Sequence, residues 1–386
     1  MSNIIFKKNQ LSTIMKRITL SVLLMISATM LHAQSFTPEE VLQTARKVNT
    51  YFMRKYADPT EATNVGRIRP SNLWTRAVYY EGLMALYGID PSEAYLNYTD
   101  RWANFHQWSP RNGIKSCDAD DQCCEQTYLD RYMMTKDDRM IEHVRENLDY
   151  QMTTKIGWWT WIDAIQMAMP VYSRMYKATG ERKYLDYGMK MYTWSRDTCG
   201  GGLFNVPEGL WWRDADYVPP YKESDGHNCY WSRGSGWVYA ALVRVMDDIG
   251  RKDKYFKGLK KDFVLMSEAL LQCQREDGLW NPSLVSPVTY GGKELTGTAL
   301  FLYGMSWGIN HKLLNAKKYK PACDRAWAAL VRDCVHPDGF LGWVQGTGKD
   351  PSAGQPLSYT KVPDFEDYGT GCFLLGAAEY YKLLNR

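Results

Sequence analysis

The sequence has few histidines and lacks the usual metal-binding motifs. Six histidines are scattered over 386 residues, and C-x-x-C, H-E-x-x-H and any cluster of cysteine with histidine are absent. A zinc ion therefore has no candidate ligand set, and we expect neither a metal nor another cofactor. The nine cysteines are an odd number and stand apart except for Cys123-Cys124, so they do not form the disulfide framework of a small secreted domain.

The sequence also lacks an excess of positive charge outside its first segment. The formal net charge is +4, and residues 1–33 contain Lys7, Lys8, Lys16 and Arg17 but no acidic residue. The rest of the chain is therefore electrically balanced. Binding to nucleic acid depends on clustered lysine and arginine, so this balance gives no support to a nucleic-acid partner.

Long apolar runs are absent after the first segment. Lys16-Arg17 precede the apolar run Ile18 to Leu31, which ends close to the small residue Ala33. The run is shorter than the roughly 20 residues that span a bilayer. This pattern predicts a signal peptide over residues 1–33, with a retained membrane anchor as the alternative. We expect residues 34–386 to form a single domain with no membrane partner.

Apolar residues recur at helical spacing throughout the remaining chain. They predict about a dozen helices, near residues 37–56, 70–88, 92–106, 120–135, 138–152, 160–178, 181–197, 232–250, 255–273, 294–309, 318–334 and 365–384. Short polar turns alternate with long loops rich in glycine and aromatic residues. This asymmetry favours an all-α fold, the (α/α)6 barrel, whose long loops gather at one end. An open superhelix is the alternative, and we expect a few short strands in the loops around 200–222 and 340–362.

Two groups of acidic residues stand at predicted helix starts. Asp163 follows Trp158-Trp159-Thr160-Trp161, and Asp120 and Asp121 lie in the acidic stretch that begins at Asp118. Capping of a helix would explain Asp163 alone. Indole rings beside a carboxyl, however, lower its solvation and raise its pKa, as a general acid near neutral pH requires. Enzymes that act on sugars commonly use a pair of carboxylates.

Two further motifs combine arginine with tryptophan. Arg233 lies between Trp231 and Trp237 in a stretch of small residues, and Arg213 follows Trp211-Trp212. Arginine can bind a carboxylate in a bidentate manner, although a structural ion pair is an equal interpretation for Arg233. Two such motifs favour an acidic sugar over a neutral one.

In combination, the motifs resemble glycoside hydrolase family 105, the unsaturated rhamnogalacturonyl and related uronyl hydrolases, over nearly the whole chain after residue 33. The segments that carry this resemblance are Ala119-Asp120-Asp121, Gln126-Thr127-Tyr128-Leu129, Trp159-x-Trp161-x-Asp163, Trp231-Ser232-Arg233-Gly234-Ser235-Gly236-Trp237 and Tyr368-Gly369-Thr370-Gly371. The resemblance implies an (α/α)6 barrel, no metal, and an oligosaccharide substrate with an unsaturated uronic acid at its nonreducing end.

By this resemblance Asp163 corresponds to the general acid and Asp120 to the second essential carboxylate. Trp161, Arg233 and Trp237 correspond to substrate-binding groups. Many family members carry a histidine in the loop where Arg213 stands here, and this departure is compatible with glucuronyl rather than galacturonyl-derived ends. The complete set of substrate-binding candidates is Trp161, Arg213, Arg233, Trp237, Asp121, Trp231 and Trp159.

Other functions remain open from the residues alone. Another (α/α)6 enzyme is one alternative, either a saturated-glycoside hydrolase, a lyase or an epimerase, although the isolated histidines argue against a lyase. A non-catalytic glycan-binding protein would also explain the aromatic content of 14%. The small products of lyases suit an exported enzyme of the periplasm rather than the medium.

Overall fold

Twelve long helices dominate the computed structural model, which describes residues 35–386. The predicted signal peptide lies outside the described residues. Within them, Phe36–Arg386 form one compact unit. None of the helices in the described residues is long and apolar enough to cross a membrane.

The first helix shows how local sequence sets the helix boundaries. Helix α1 covers Pro38–Lys55. The Thr37 side chain accepts a hydrogen bond from the Glu40 amide, and the Glu40 side chain accepts one from the Thr37 amide. This reciprocal capping satisfies backbone donors that the first turn leaves free. Acidic residues lie in the first turn and basic residues in the last, which complements the helix dipole.

The helices alternate between an inner and an outer layer. The outer helices are α1, α3 (Glu93–Phe105), α6 (Glu142–Met152), α8 (Arg182–Asp197), α10 (Phe256–Gln272) and α13 (Ala316–Ala329). The inner helices are α2 (Trp74–Tyr87), α5 (Glu125–Thr135), α7 (Asp163–Thr179), α9 (Ser232–Ile249), α12 (Leu295–Asn310) and α14 (Asp367–Leu384). Two single-turn helices, α4 (Ala119–Gln122) and α11 (Pro287–Tyr290), lie in the loops.

The inner helices form a closed ring in the order α2, α5, α7, α9, α12, α14, and α14 packs back against α2. A helix with neighbours on every side is apolar all round, and every residue of α12 is buried. The predicted (α/α)6 barrel is thus confirmed. The open superhelix is wrong, because the contact between α14 and α2 closes the ring.

Short strands occur in two antiparallel hairpins. Strands β3 (Phe204–Asn205) and β4 (Leu210–Trp211) fall in the predicted region around 200–222. The expectation for residues 340–362 is wrong for the described chain, which has only an isolated bridge between Val335 and Leu341 there. The hairpin of β1 (Thr63–Asn64) and β2 (Ile68–Arg69) was not predicted, because two-residue strands are too short to show alternation.

Helix α2 and helix α14 touch through glycine. A Cβ atom placed on Gly371 would lie 2.1 Å from the carbonyl oxygen of Val78, and one placed on Gly82 would lie 2.5 Å from the carbonyl oxygen of Gly371. Real atoms cannot approach so closely, and the obstructing atoms are backbone. These two glycines therefore set the distance between the first and last inner helices.

We predict that Gly371→Ala lowers the free energy of unfolding by about 3 kcal/mol, because the added methyl group forces two backbones apart. Chemical denaturation followed by circular dichroism measures this change. The matched control is Gly258→Ala in α10, where a Cβ atom meets nothing within 4 Å. That variant should be stabilised by up to about 1 kcal/mol through helix propensity. Equal effects of the two substitutions would contradict the packing argument.

Candidate active site

A polar cavity of about 210 Å³ lies at the end of the barrel where the inner helices begin. Trp74 is the first residue of α2 and Asp163 the first residue of α7, and both line the cavity. The complete lining is Arg67, Arg69, Trp74, Asp120, Trp161, Asp163, Met167, Arg213, Thr347 and Gly348. Four of the residues predicted from sequence, Asp120, Trp161, Asp163 and Arg213, therefore meet in one place.

Backbone pairing between two loops positions Asp163. Trp161 and Asp214 form an antiparallel bridge, and the Ile162 amide donates to the Arg213 carbonyl oxygen at 2.9 Å. This pairing brings Nε of Arg213 to 3.3 Å from Oδ2 of Asp163, while Nη1 of Arg213 donates to Oδ2 of Asp214 at 2.6 Å. Arg213 is thus held by two carboxylates and fixes the orientation of Asp163.

The surroundings of Asp163 favour its protonated form. Burial raises the pKa of the Asp163 carboxyl above its ordinary value, and the positive charges of Arg213 and Arg233 partly oppose this rise. A buried carboxyl retains its proton more readily because the charged form loses its hydration. The pKa of Asp163 is thus shifted in the direction that a general acid requires.

Asp120 is the second carboxyl in the cavity, and its pKa is also raised. Burial, together with the negative charges of Asp118, Asp163 and Asp121, raises its pKa to about 8. Two neighbouring carboxylates resist simultaneous ionisation, so the pair titrates as a unit and keeps a proton at neutral pH. The cavity can therefore donate a proton to a bound molecule.

Arg233, predicted to bind substrate, lies outside the residues that line the cavity. Its side chain is fully buried, between the rings of Trp231 and Tyr368. Its Nη1 and Nη2 donate to the carbonyl oxygens of Gln345 and Gly346 at 2.9 and 2.8 Å. These residues precede Thr347 and Gly348, which do line the cavity. Arg233 thus supports a wall of the cavity from behind.

Four more of the predicted substrate-binding residues also lie outside this lining. Trp231, Trp237, Trp159 and Asp121 are buried outside the cavity lining. Trp231 donates from Nε1 to Oε1 of Gln345 at 2.8 Å, and Trp237 packs edge-on against Trp74 with 6.4 Å between ring centroids. Trp159 packs near Tyr172, and Asp121 accepts from Arg111 and Ser116. These side chains hold the cavity walls rather than face the space inside.

Six lining residues were missed by sequence reasoning: Arg67, Arg69, Trp74, Met167, Thr347 and Gly348. Arg67 and Arg69 belong to the β1–β2 hairpin, and the alternation Arg67-Ile68-Arg69 was the available signal. Thr347 lies far along the chain, and sequence alone did not reveal its proximity to the hairpin. Across the described residues, no group of three or more histidine, cysteine, aspartate or glutamate side chains is placed to hold a metal ion.

We predict that Asp120→Asn raises the free energy of unfolding by at least about 1 kcal/mol at neutral pH. The folded-state pKa of Asp120, about 8, exceeds the ordinary value of 3.8. The wild-type carboxyl therefore destabilises the fold increasingly as the pH rises from 3.8 towards 8, and asparagine removes this effect. Thermal melting at several pH values measures the gain. Asp216→Asn is the control, because that side chain is 78% exposed; a gain independent of pH would contradict the argument.

Several known proteins are similar to this chain in sequence and in fold. The unsaturated 3S-rhamnoglycuronyl hydrolase of Formosa agariphila is 31% identical over 355 residues, which cover 86% of this chain and 90% of that protein. The solved Glycosyl hydrolase family 88 protein from Bacteroides vulgatus has a TM-score of 0.82 and 33% identity, with 90% of this chain and 100% of that chain covered. A structure described as Polysaccharide Lyase BACCELL_00875 has a TM-score of 0.80 and 31% identity, with 90% and 98% covered.

The family number expected from the sequence motifs differs from the family that matches. A possible member of the GH105 family from Salmonella enterica has a TM-score of 0.72 at 18% identity, with 90% of this chain and 95% of that chain covered, so that likeness establishes the common fold alone. The family model of Glycosyl Hydrolase Family 88 matches residues 44–384. With that match and relatives above 30% identity, this chain belongs to Glycosyl Hydrolase Family 88.

Proposed function

We propose that this glycoside hydrolase removes a 4,5-unsaturated uronic acid from the nonreducing end of oligosaccharides produced by polysaccharide lyases. The observation that carries the proposal is the pair Asp120 and Asp163, two carboxyls with raised pKa values in one cavity lined by three arginines. Such a cavity can bind an acidic sugar and give it a proton. The Formosa agariphila relative is named for the same type of reaction.

The chemistry of the substrate indicates a role for each carboxyl in the cavity. Its C4=C5 double bond is an enol ether, and protonation at C4 leaves an oxocarbenium-like cation at C5 that water captures. The resulting hemiketal opens, and the bond to the rest of the oligosaccharide is released. We assign the proton donation to Asp163, which Arg213 orients, and the orientation of water to Asp120.

The finer identity of the substrate also belongs to this proposal. We infer an unsaturated uronyl end linked to rhamnose, because the Formosa agariphila relative is named an unsaturated 3S-rhamnoglycuronyl hydrolase. Arg213, in place of the histidine common in family 105, agrees with a glucuronyl end. We further propose that, within the matched family, the chain is a uronyl hydrolase of the family 105 type. This proposal is based on the motifs around Asp163 and Arg233.

Export to the periplasm is a further part of the proposal. It is supported by Lys16-Arg17 before the apolar run that ends near Ala33, and by the small size of lyase products. Fractionation of cells that express the whole chain tests it. Mature protein in the periplasmic fraction is expected, and full-length protein in the cytoplasm would contradict it.

A polysaccharide lyase is the second candidate, because one similar structure carries that description. The two reactions have opposite optical signatures. A lyase creates an unsaturated uronate that absorbs ultraviolet light, whereas the proposed hydrolase destroys one. Ultraviolet absorbance during incubation with lyase-generated oligosaccharides and with the intact polysaccharides therefore separates them. Loss of absorbance supports the hydrolase, and a gain on intact polysaccharide supports the lyase.

We predict that Asp163→Asn lowers kcat by about 10² to 10⁴-fold, because a positioned acid contributes about that much to the rate. Loss of ultraviolet absorbance on an unsaturated disaccharide measures the turnover. The control Asp216→Asn changes an exposed carboxylate in the loop that also carries Arg213, and it should turn over at the wild-type rate. Near-normal turnover of Asp163→Asn would remove Asp163 from the proposed role.

We also predict that kcat/KM falls as the pH rises through about 8, the pKa of Asp120. Above this pH the carboxyl pair loses its remaining proton, and general acid catalysis requires that proton. Initial rates over a pH series give the profile. The Asp120→Asn variant should shift the alkaline limb, while Asp216→Asn should retain it. A wild-type rate that continues to increase well above pH 8 would be inconsistent with catalysis by a protonated pair.

A further inference from the structure

The β1–β2 hairpin brings two arginines into the cavity side by side. Arg67 and Arg69 each donate from Nη2 to the hydroxyl oxygen of Thr347 at 3.3 Å. Arg69 is buried and lies over the ring of Phe365, 4.3 Å from its centroid, whereas Arg67 is exposed. Two guanidinium groups therefore converge on one neutral oxygen, the deeper group held by an aromatic ring.

Neither arginine has a carboxylate within ion-pair distance in the part of the chain that the structure describes. Asp364 lies close by without pairing directly with either arginine. Its oxygens accept from the Thr347 amide at 3.0 and 3.1 Å, and its Oδ2 also accepts from the Thr347 hydroxyl, so its charge offsets part of the positive charge of Arg69. Two like charges at close range repel each other and raise each other's cost of burial. An oxyanion placed between them would remove this repulsion.

The other cations near the cavity are not free for this task. Arg213 is paired with Asp163 and Asp214, and Arg233 donates to backbone carbonyl oxygens outside the cavity. Among the described lining residues, Arg67 and Arg69 are thus the arginines without a direct ion pair. A bound oxyanion can form one.

We propose that Arg67, Arg69 and Thr347 form an oxyanion subsite that binds the carboxylate of the terminal unsaturated uronate. This inference rests on the proposed function and adds a specificity device to it. The uronate carboxylate is the preferred source of the oxyanion because Arg69 is buried in the same cavity as Asp120 and Asp163, where the reacting ring has to lie. A sulfate ester on the neighbouring sugar has similar chemistry and is the other source that the test must separate.

The subsite gives the cavity an electrical polarity. Arg67 and Arg69 attract a substrate carboxylate, whereas Asp120 and Asp163 supply a proton and offer no positive charge, so the ring can enter productively in one orientation. A neutral terminal sugar would leave the buried Arg69 without an anionic partner, so we expect such sugars to be poor substrates. Because the carboxylate is bound before and during the reaction, the interaction should lower KM more than it raises kcat.

The test compares an unsaturated disaccharide with its uronate methyl ester, which keeps the double bond but loses the negative charge. We expect Arg69→Gln to lower kcat/KM on the acid about 10- to 100-fold, mainly through KM, the effect of losing a charged hydrogen bond. On the ester the same variant should stay within about threefold of the wild type. Arg69→Lys should recover part of the loss on the acid, and Arg67→Gln should show a smaller loss because it is exposed.

Ile68→Thr is the matched control, since Ile68 lies between the two arginines and is 72% exposed. It should behave as the wild type on both substrates. Equal losses on acid and ester with Arg69→Gln, or no loss on either, would overturn the proposal. A loss restricted to substrates with a sulfated second sugar, and absent from unsulfated acid, would overturn the carboxylate assignment and identify the sulfate as the bound oxyanion.

Failure of the proposed function is recognised separately. In that case wild-type protein turns over neither the acid nor the ester. Calorimetric titration of the unsaturated disaccharide into wild type and Arg69→Gln then decides the subsite without turnover. Binding that weakens about 10-fold or more in the variant supports the subsite, and unchanged binding or its absence in both proteins overturns it.

Discussion

Closure of the inner ring between α14 and α2 is the constraint on which the site depends. The two helices approach through Gly82 and Gly371, where any side chain would strike backbone. Since six inner helices surround one axis and begin at the same end, residues from distant parts of the chain meet there. Trp74 from α2 and Asp163 from α7 are brought together in this way. The cavity lining comes from the N-terminal ends of α2 and α7 and from loops that precede inner helices, so ring closure is what gathers these residues.

Two sets of contacts fix the positions of the loops that line the cavity. The bridge between Trp161 and Asp214 fixes Arg213 against Asp163. Arg233 ties the backbone at Gln345 and Gly346 to α9, and so fixes the position of Thr347. A buried guanidinium that donates to two carbonyl oxygens is a strong restraint, because its loss would leave charged and polar groups unsatisfied. The motif of Arg233 between Trp231 and Trp237 therefore has a structural role, because it holds a wall of the cavity in place.

The sequence predicted those features that depend on residues close together in the chain. Helical periodicity identified all twelve long helices, and the acids at helix starts led to Asp120 and Asp163. Burial was harder to foresee: the motif around Arg233 does not state which side of α9 faces the cavity, and its small residues allow the side chain to be enclosed. The hairpin with Arg67 and Arg69 was missed because its strands have two residues each. Its partner Thr347 is 278 residues from Arg69, so only the closed ring reveals their contact.

The charge state of the cavity distinguishes the two reactions considered for this fold. Elimination by a lyase begins with removal of a proton and needs a group that is unprotonated and basic. Hydration of an enol ether begins with addition of a proton and needs an acid. The described lining contains neither histidine nor tyrosine, and the pKa of Asp120 rises to about 8 while burial also raises that of Asp163. At neutral pH such a pair holds a proton that it can give away, so the arrangement favours hydration over elimination.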